Sequence, residues 1–590
     1  MTIKKLFSAL ILAVLILSSA SCAPKAPPED NNTNTYFTGE TTQLPNSETQ
    51  QTSPPENADK SLVLLEGGKW QYRIVTKAVR SAEEIEFSGS LSKAMSDIAG
   101  TAPHTANDTV IKDDSVCEII IGCTKHPTAR SLFAALGYGN ACIKVEGNKI
   151  YVAAFSADGY KALLSHLTKA MTAAYSDGAI ALTVGTIETQ TTINNDLNAI
   201  PVASGGSFSS ISNCGNGQTL VIHDEASEST FDDYVNGLKG AVCVSEIREN
   251  GNAFATFDIG SNLLNVSYSK GENRLRIILN KNTEPTKLFE KPEETKKVCD
   301  PLLIMHGLAW KEAGYTYYSY GMCMLIRLSD GRFIVIDGGF NRRKDADDLY
   351  GLLTKYNVLQ GKPTIALWIL THAHIDHHGT FALQFYAYYR SNVTIENVLF
   401  NPPGGDFLNE PANETVSGLL NGQIVVNNAI KNYQANNIRS HVGDRYYVGD
   451  SVIDVFYTVD FQYPQKFNYY NTCSMMLSIT IAGQKIMITG DASNDAFGKA
   501  VKTFGSALKS DIVQAAHHGG TSGVDASAAT SMSDGYKLMS PSVVLWPAAD
   551  EGYESSKKSA FNKVLLSLPT IKRVEVAGDR DFVVILPYNP

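Results

Sequence analysis

Basic residues are in the minority, with 50 Lys and Arg against 60 Asp and Glu, a net charge of -10 over 590 residues. A chain of this balance has no cationic footprint for gripping nucleic acid, and no sequence-specific nucleic-acid binding is expected. No Cys-x-x-Cys pair occurs, so neither a zinc knuckle nor a thioredoxin-like redox motif is on offer. Most cysteines beyond Cys22 read as buried thiols, with one or two disulfides left open for a protein outside the cytoplasm. The apolar run at residues 8–17 is too short to span a bilayer. Following a basic start at Lys4 and Lys5, it reads as a secretory signal, so export is expected.

The signal ends in Ser18-Ser-Ala-Ser-Cys22, which resembles a bacterial lipoprotein box whose cysteine becomes an acylated N-terminus. The resemblance implies lipidation at Cys22, a membrane held through that lipid, and a place on the outer face of the cell membrane; simple secretion is the alternative. Residues 23–60 are nearly all Pro, Thr, Asn, Gln, Glu and Ser and cannot bury enough surface to fold. They read as a tether.

What is present beyond the tether is globular, with 43% hydrophobic and 19% charged residues, and too long for one ordinary domain. Residues 61–190 alternate strand and helix patterns, with a hairpin about Gly147-Asn148, and predict a small α/β accessory domain. Its scattered His104, His126 and His166 read as ordinary structural residues. Residues 191–298 begin loosely near Gly205. A helix follows from Thr230, then three alternating segments from Asn252, Leu263 and Arg274 predict an antiparallel meander on one helix. A charged linker at 284–297 leads into a third domain at 299–590.

That last domain holds the chemistry. Thr-His-Ala-His-Ile-Asp-His-His-Gly at 371–379 packs four of the chain's 12 histidines and an aspartate between an apolar strand pattern at 363–370 and an amphipathic helix pattern from Phe381. His372 and His374, two apart on extended backbone, point to one side and can chelate one ion, while Asp376 and His377 turn toward a second. Imidazole with carboxylate suits zinc, with manganese or iron also open.

His-x-His-x-Asp-His after a hydrophobic strand resembles the signature of the metallo-β-lactamase fold hydrolases. Further motifs follow in order: Ile334-Val-Ile-Asp-Gly-Gly339, Ile488-Thr-Gly-Asp491 and Ala516-His-His-Gly519. The resemblance covers about residues 300–590. It implies an αββα sandwich preceded by the two small accessory domains, and two divalent ions, most simply Zn2+. Asp491 would bridge them, and Asp337 would support the loop by orienting a ligating imidazole. His517 and His518 are both metal candidates; whichever does not ligate would contact substrate or donate a proton. Asp376 would orient the attacking water.

One departure narrows the reading. Many members of the family supply a third histidine from a Gly-x-x-x-Gly-His segment, whereas this chain has Asn471-Thr-Cys-Ser474 there. That arrangement is more similar to the branch containing phosphorylcholine esterases and the nuclease domains of competence DNA-uptake proteins. It makes Asn471 and Ser474 candidates for substrate binding, and His441, the only other histidine in the gap, reads either as a substrate contact or as a loop residue. The expected activity is hydrolysis of a phosphodiester or related ester, in a small molecule or a polymer. Lactone or β-lactam hydrolysis is the enzymatic alternative, and an inert, polymer-binding surface lipoprotein the non-enzymatic one.

Overall fold

The computed structural model describes residues 58–590 except 79, 110–114, 313–314, 318–319, 410–414 and 521–529. The signal, Cys22 and all but the last residues of the tether therefore lie outside the described residues. Among the described residues no helix is long and apolar enough to cross a membrane.

The chain first builds a mixed six-stranded sheet, ordered Thr189–Thr192, Asn140–Glu146, Lys149–Ala154, Glu118–Ile121, Arg73–Thr76 and Thr105–Asn107, with a small four-stranded sheet beside it. Helices Ala82–Ala99 and Ala157–Ala174 cover it, burying Phe87, Leu91 and Met95 from one and Tyr160, Leu163 and Leu167 from the other. Each starts at a serine whose side chain accepts a backbone N–H of the first turn.

A six-stranded antiparallel sheet follows, ordered Ser207–Gly215, Gln218–Asp224, Arg274–Asn280, Leu263–Ser269, Asn252–Asp258 and Val242–Glu249. The segment expected to be loose after Gly205 is its first strand, paired to the second across Asn216-Gly217. Serines masked it, since the strand packs through Phe208 and Ile211 and leaves its hydroxyls half-buried. The sheet has more than a helix on it. Val221, Ala253, Val266 and Ile277 pack with Phe133, Tyr138 and Phe155 of the first unit. Cys214, Leu220, Ile222 and Ile278 pack the other way, with Phe400, Phe407 and Tyr463. Coverage on both sides explains why the central strands are buried at nearly every position rather than at alternate ones.

Residues from 302 onward form two facing sheets between outer helices. One runs Asn436–Ile438, Asn397–Leu399, Thr364–Ile369, Phe333–Asp337, Cys323–Arg327, Leu302–Met305 and Phe582–Ile585. Its partner runs Arg445–Val448, Ser451–Tyr457, Met476–Ile481, Gln484–Ile488, Ile512–Gln514, Val543–Trp546 and Arg573–Val576. Met324, Ile334, Ile336, Leu367 and Ile369 of the first meet Ile453, Leu477, Ile486, Ile488 and Val543 of the second in one apolar layer. Helices Arg343–Tyr356 and Val416–Tyr433 flank the first sheet, and Asn494–Phe504 and Thr530–Met539 the second. This is an αββα sandwich.

Two pairs of central strands run parallel: Phe333–Asp337 with Thr364–Ile369, and Gln484–Ile488 with Ile512–Gln514. Parallel neighbours end at the same edge, so the loops after all four strands converge on one rim.

Candidate metal centre

The four converging loops carry Asp337, the histidine loop at 371–379, Asp491 and His517-His518. After Thr371 the chain turns into the short helix Ile375–Gly379, which continues through a π-helical turn at Thr380–Phe385. Widened turns of this kind occur often at functional sites. Gly379 is required there, because a Cβ would lie 2.5 Å from the backbone nitrogen of Asn341. Gly519 is required at the opposite loop: its φ is +80°, and a Cβ would fall 2.2 Å from the Trp546 ring. His517 and His518 before it are both left-handed, with φ of 50° and 54°. That conformation is uncommon for side chains of this size and separates the two imidazoles.

Two groups of donors result. His372, His374 and Asp491 form one, and Asp376, His377, Asp491 and His518 the other, with ligand atoms in each within 4.8 Å of one another. Asp491 belongs to both. Its Oδ2 lies 3.2 Å from His377 Nε2, 3.5 Å from His518 Nε2 and 3.8 Å from His372 Nε2. His372 Nε2 and His374 Nδ1 face one another at 3.0 Å. The Nε2 atoms of His377 and His518 are buried and find no hydrogen-bond partner of proper geometry. Buried lone pairs left without hydrogens and aimed at shared carboxylate oxygens fit a divalent cation, and the mixture of imidazole and carboxylate fits zinc, iron or manganese.

The opposite ring nitrogens are held from outside. His377 Nδ1 donates to Asp337 Oδ2 at 2.7 Å, His518 Nδ1 to the Pro547 carbonyl at 3.0 Å, and His372 Nδ1 to Thr371 Oγ1 at 3.1 Å. Asp337, fully buried, also accepts Thr371 N at 2.8 Å and Thr371 Oγ1 at 2.9 Å. One carboxylate thus fixes a ligating ring and the loop it sits on, the usual support for metal-binding histidine.

The charges agree. Burial alone would raise Asp491, but His377, His518 and His517 outweigh it and hold the carboxyl well below its usual range. Asp376 is likewise held low, by His377 and His518 against its burial. Burial opposes charge on His518, yet Asp491 and Asp376 push it up to about 9, and Asp491, Asp376 and Asp337 raise His377 well above its ordinary value. His372 moves the other way, lowered by burial and by His377 and His374.

The remaining candidates are placed differently. His517 belongs to neither donor group; its side chain is 27% exposed and its Nε2 lies 3.1 Å from Asn471 Nδ2. Together they form an accessible polar edge on the rim. Ser474, read as a substrate contact, is fully buried, and its Oγ accepts the backbone N–H of Asp491 at 3.1 Å, so it holds the shared carboxylate in place. His441, also read as a substrate contact, is buried with Nδ1 donating to Asp460 Oδ2 at 2.8 Å and Nε2 against the Asn280 amide at 3.0 Å. It ties the antiparallel sheet to the sandwich and has no nitrogen left for substrate. Sequence reasoning passed over Thr371, Trp546 and His378. Trp546 Nε1 donates to the His518 carbonyl at 2.9 Å, and burial lowers His378 to about 4.

Residues 317–396 match the model of the Metallo-beta-lactamase superfamily. No curated protein matches the chain in sequence. Among solved structures, the metallo-beta-lactamase fold protein YhfI from Bacillus subtilis is 14% identical over 48% of this chain and 99% of its own, with a TM-score of 0.29. The diiron beta-hydroxylase CmlA from Streptomyces venezuelae is 13% identical over 51% of this chain and 55% of its own, with a TM-score of 0.28. AidC, a dizinc quorum-quenching lactonase, is 14% identical over 40% of this chain and 74% of its own, with a TM-score of 0.21. The segment that matches the family model thus carries the histidine loop, and the sandwich places the remaining donors on the same rim.

Proposed function

We propose that the protein is an exported, dinuclear metal-dependent hydrolase of a phosphodiester or related ester, held at the outer face of the membrane by a lipid on Cys22. The observation that carries the catalytic part is the sharing of Asp491 between two donor groups. A carboxylate common to both sets their separation, as an in-line displacement with two stabilised oxygens requires. His372 and His374 would hold one ion, Asp376, His377 and His518 the other, and Asp491 both. When bound, such a pair would supply an activated water near neutral pH and would offset negative charge on a phosphoryl oxygen.

The chain's own residues do the rest. Asp376, with a side chain 20% exposed, is the donor carboxylate that reaches the opening, where it would orient the attacking water. His517, whose Nε2 accepts the Asn471 amide, faces the same opening and would contact the substrate. Ser474 and Asp337 contact no substrate and keep Asp491 and His377 aimed.

The preference for a phosphoester over a lactone or β-lactam rests on Asn471-Thr-Cys-Ser474 standing where a third histidine would serve the first ion. The test is elemental analysis for two transition-metal ions per chain, followed by kcat/KM for bis(p-nitrophenyl) phosphate, a phosphorylcholine ester, a lactone and a β-lactam. Efficient β-lactam hydrolysis with no phosphoesterase activity overturns the substrate class, and a metal-free, fully active protein overturns the mechanism. Fractionation of a Cys22→Ala variant tests the anchor: release from the membrane supports it, and unchanged detergent-dependent association overturns it.

A further inference from the structure

Beside the donor rim lies a pocket of about 410 Å3 between the histidine-loop helix and helix Val416–Tyr433. Its wall is mainly apolar, from Ile375, Leu383, Leu419, Val425 and the Tyr470 ring, with His378 and the Asn421 amide as its polar points. His374, a donor of the first group, lines the pocket as well, so the cavity borders the metal centre on that side. Tyr470 stands over that junction, its ring centroid 6.2 Å from that of His374. Ile375, set between two donor residues, is 47% exposed and forms part of the apolar lining. The floor depends on Gly422, where a Cβ would come within 3.1 Å of His378 Nε2.

Cavities of this size lined by aliphatic and aromatic groups with few polar points are built for organic ligands rather than for water or ions. We infer that this pocket seats an alkyl or aryl group of the substrate, so that the hydrolysed ester is amphiphilic: a phosphoryl or related head at the rim and an apolar chain lying along Val416–Tyr433. The inference rests on the proposed hydrolase reading but concerns the half of the substrate that does not react. Continuity with the His374 side of the centre fixes the polarity of binding, with the apolar group on the side of the first donor group and away from His517.

Metal-loaded protein titrated calorimetrically with n-alkyl phosphonates from methyl to octyl reads the pocket without turnover. Affinity is expected to rise about fourfold per added methylene until the pocket is filled, in line with burial of each CH2. Gly422→Leu should end that rise after fewer carbons, and Ile375→Ser, a substitution at a half-exposed position that spares the core, should flatten it. A chain-length dependence that is flat in the wild type, or unchanged in both variants, overturns the inference. The two proposals fail separately: a steep dependence with no hydrolysis of any ester overturns the hydrolase reading alone, and phosphodiester turnover with a flat dependence overturns the pocket alone.

Discussion

Among the described residues, the buried histidine and aspartate cluster on the rim is built to hold something, and the one against the antiparallel sheet is not. On the rim, His377 and His518 have one nitrogen tied to the protein and the other left without a hydrogen-bond partner beside Asp491. At the contact between the antiparallel sheet and the sandwich, His441 has both nitrogens engaged, by Asp460 and by Asn280. Asp444 beside it accepts Thr256 Oγ1, Tyr446 Oη and the backbone N–H of His441. Similar residues in similar burial thus give a donor site in one place and a joint in the other. Residue type does not separate them; the direction and satisfaction of the second ring nitrogen does.

The comparison can be broken most sharply at Asp491. Asp491→Ala removes the one carboxylate common to both donor groups, so kcat/KM for the best ester should fall by about 10^3 or more, with fewer than two ions retained by elemental analysis. Equal activity in this variant would remove the rim from the mechanism.

At the joint the opposite pattern is expected. His441→Ala leaves Asp460 buried beside a void, and breaking a buried pair in this way costs about 3 kcal/mol, measurable by urea unfolding, while the ion count stays at that of the wild type. Loss of metal without loss of stability would exchange the roles of the two clusters. Between these extremes, Asp337→Asn keeps the shape but weakens the bond that orients His377, and should lower metal affinity by about 10- to 100-fold in a chelator competition.

The rim was legible in the sequence because each of its parts ends a strand: apolar runs stop at Asp337, Thr371, Gly490 and Ala516, and the chemistry sits directly after them. The αββα sandwich came from the family resemblance that these motifs carry. The joint was not legible, because the partner of His441 is Asn280, 161 positions away in a strand whose alternation suggested only a sheet. Nothing local distinguishes a histidine waiting for substrate from one already bonded across a domain contact. Ser474 misled for a related reason: its neighbour Asn471 does reach the rim, but three residues on the chain has turned inward, and the hydroxyl meets the backbone of Asp491. Likewise the strand Ser207–Gly215 was read as loose, because serine is its commonest residue and its burial comes from contacts on both faces of the finished sheet.

The smallest expected effect separates the clusters by pH. Burial disfavours charge on His441, but Asp460 outweighs it and raises the imidazole above its ordinary value near 6.5. A group whose folded pKa is raised contributes stability that is fully present below its unfolded pKa and is lost as the pH climbs through the folded one. Wild type should therefore exceed a His441→Gln variant in unfolding free energy by a constant amount below about pH 6, and the difference should shrink above it, by at most about 1.4 kcal/mol per pH unit. Taking the difference cancels the rim, whose histidines are present in both proteins. Urea unfolding at pH 5.5 and pH 9 gives the two numbers needed. A difference that widens toward alkaline pH would mean that His441 is held neutral and that the joint relies on its hydrogen bonds alone. In metal-loaded protein no such titration is expected from His377 and His518, because ligation takes the place of their protons, and loading the apo protein at pH 7 should release on the order of two protons.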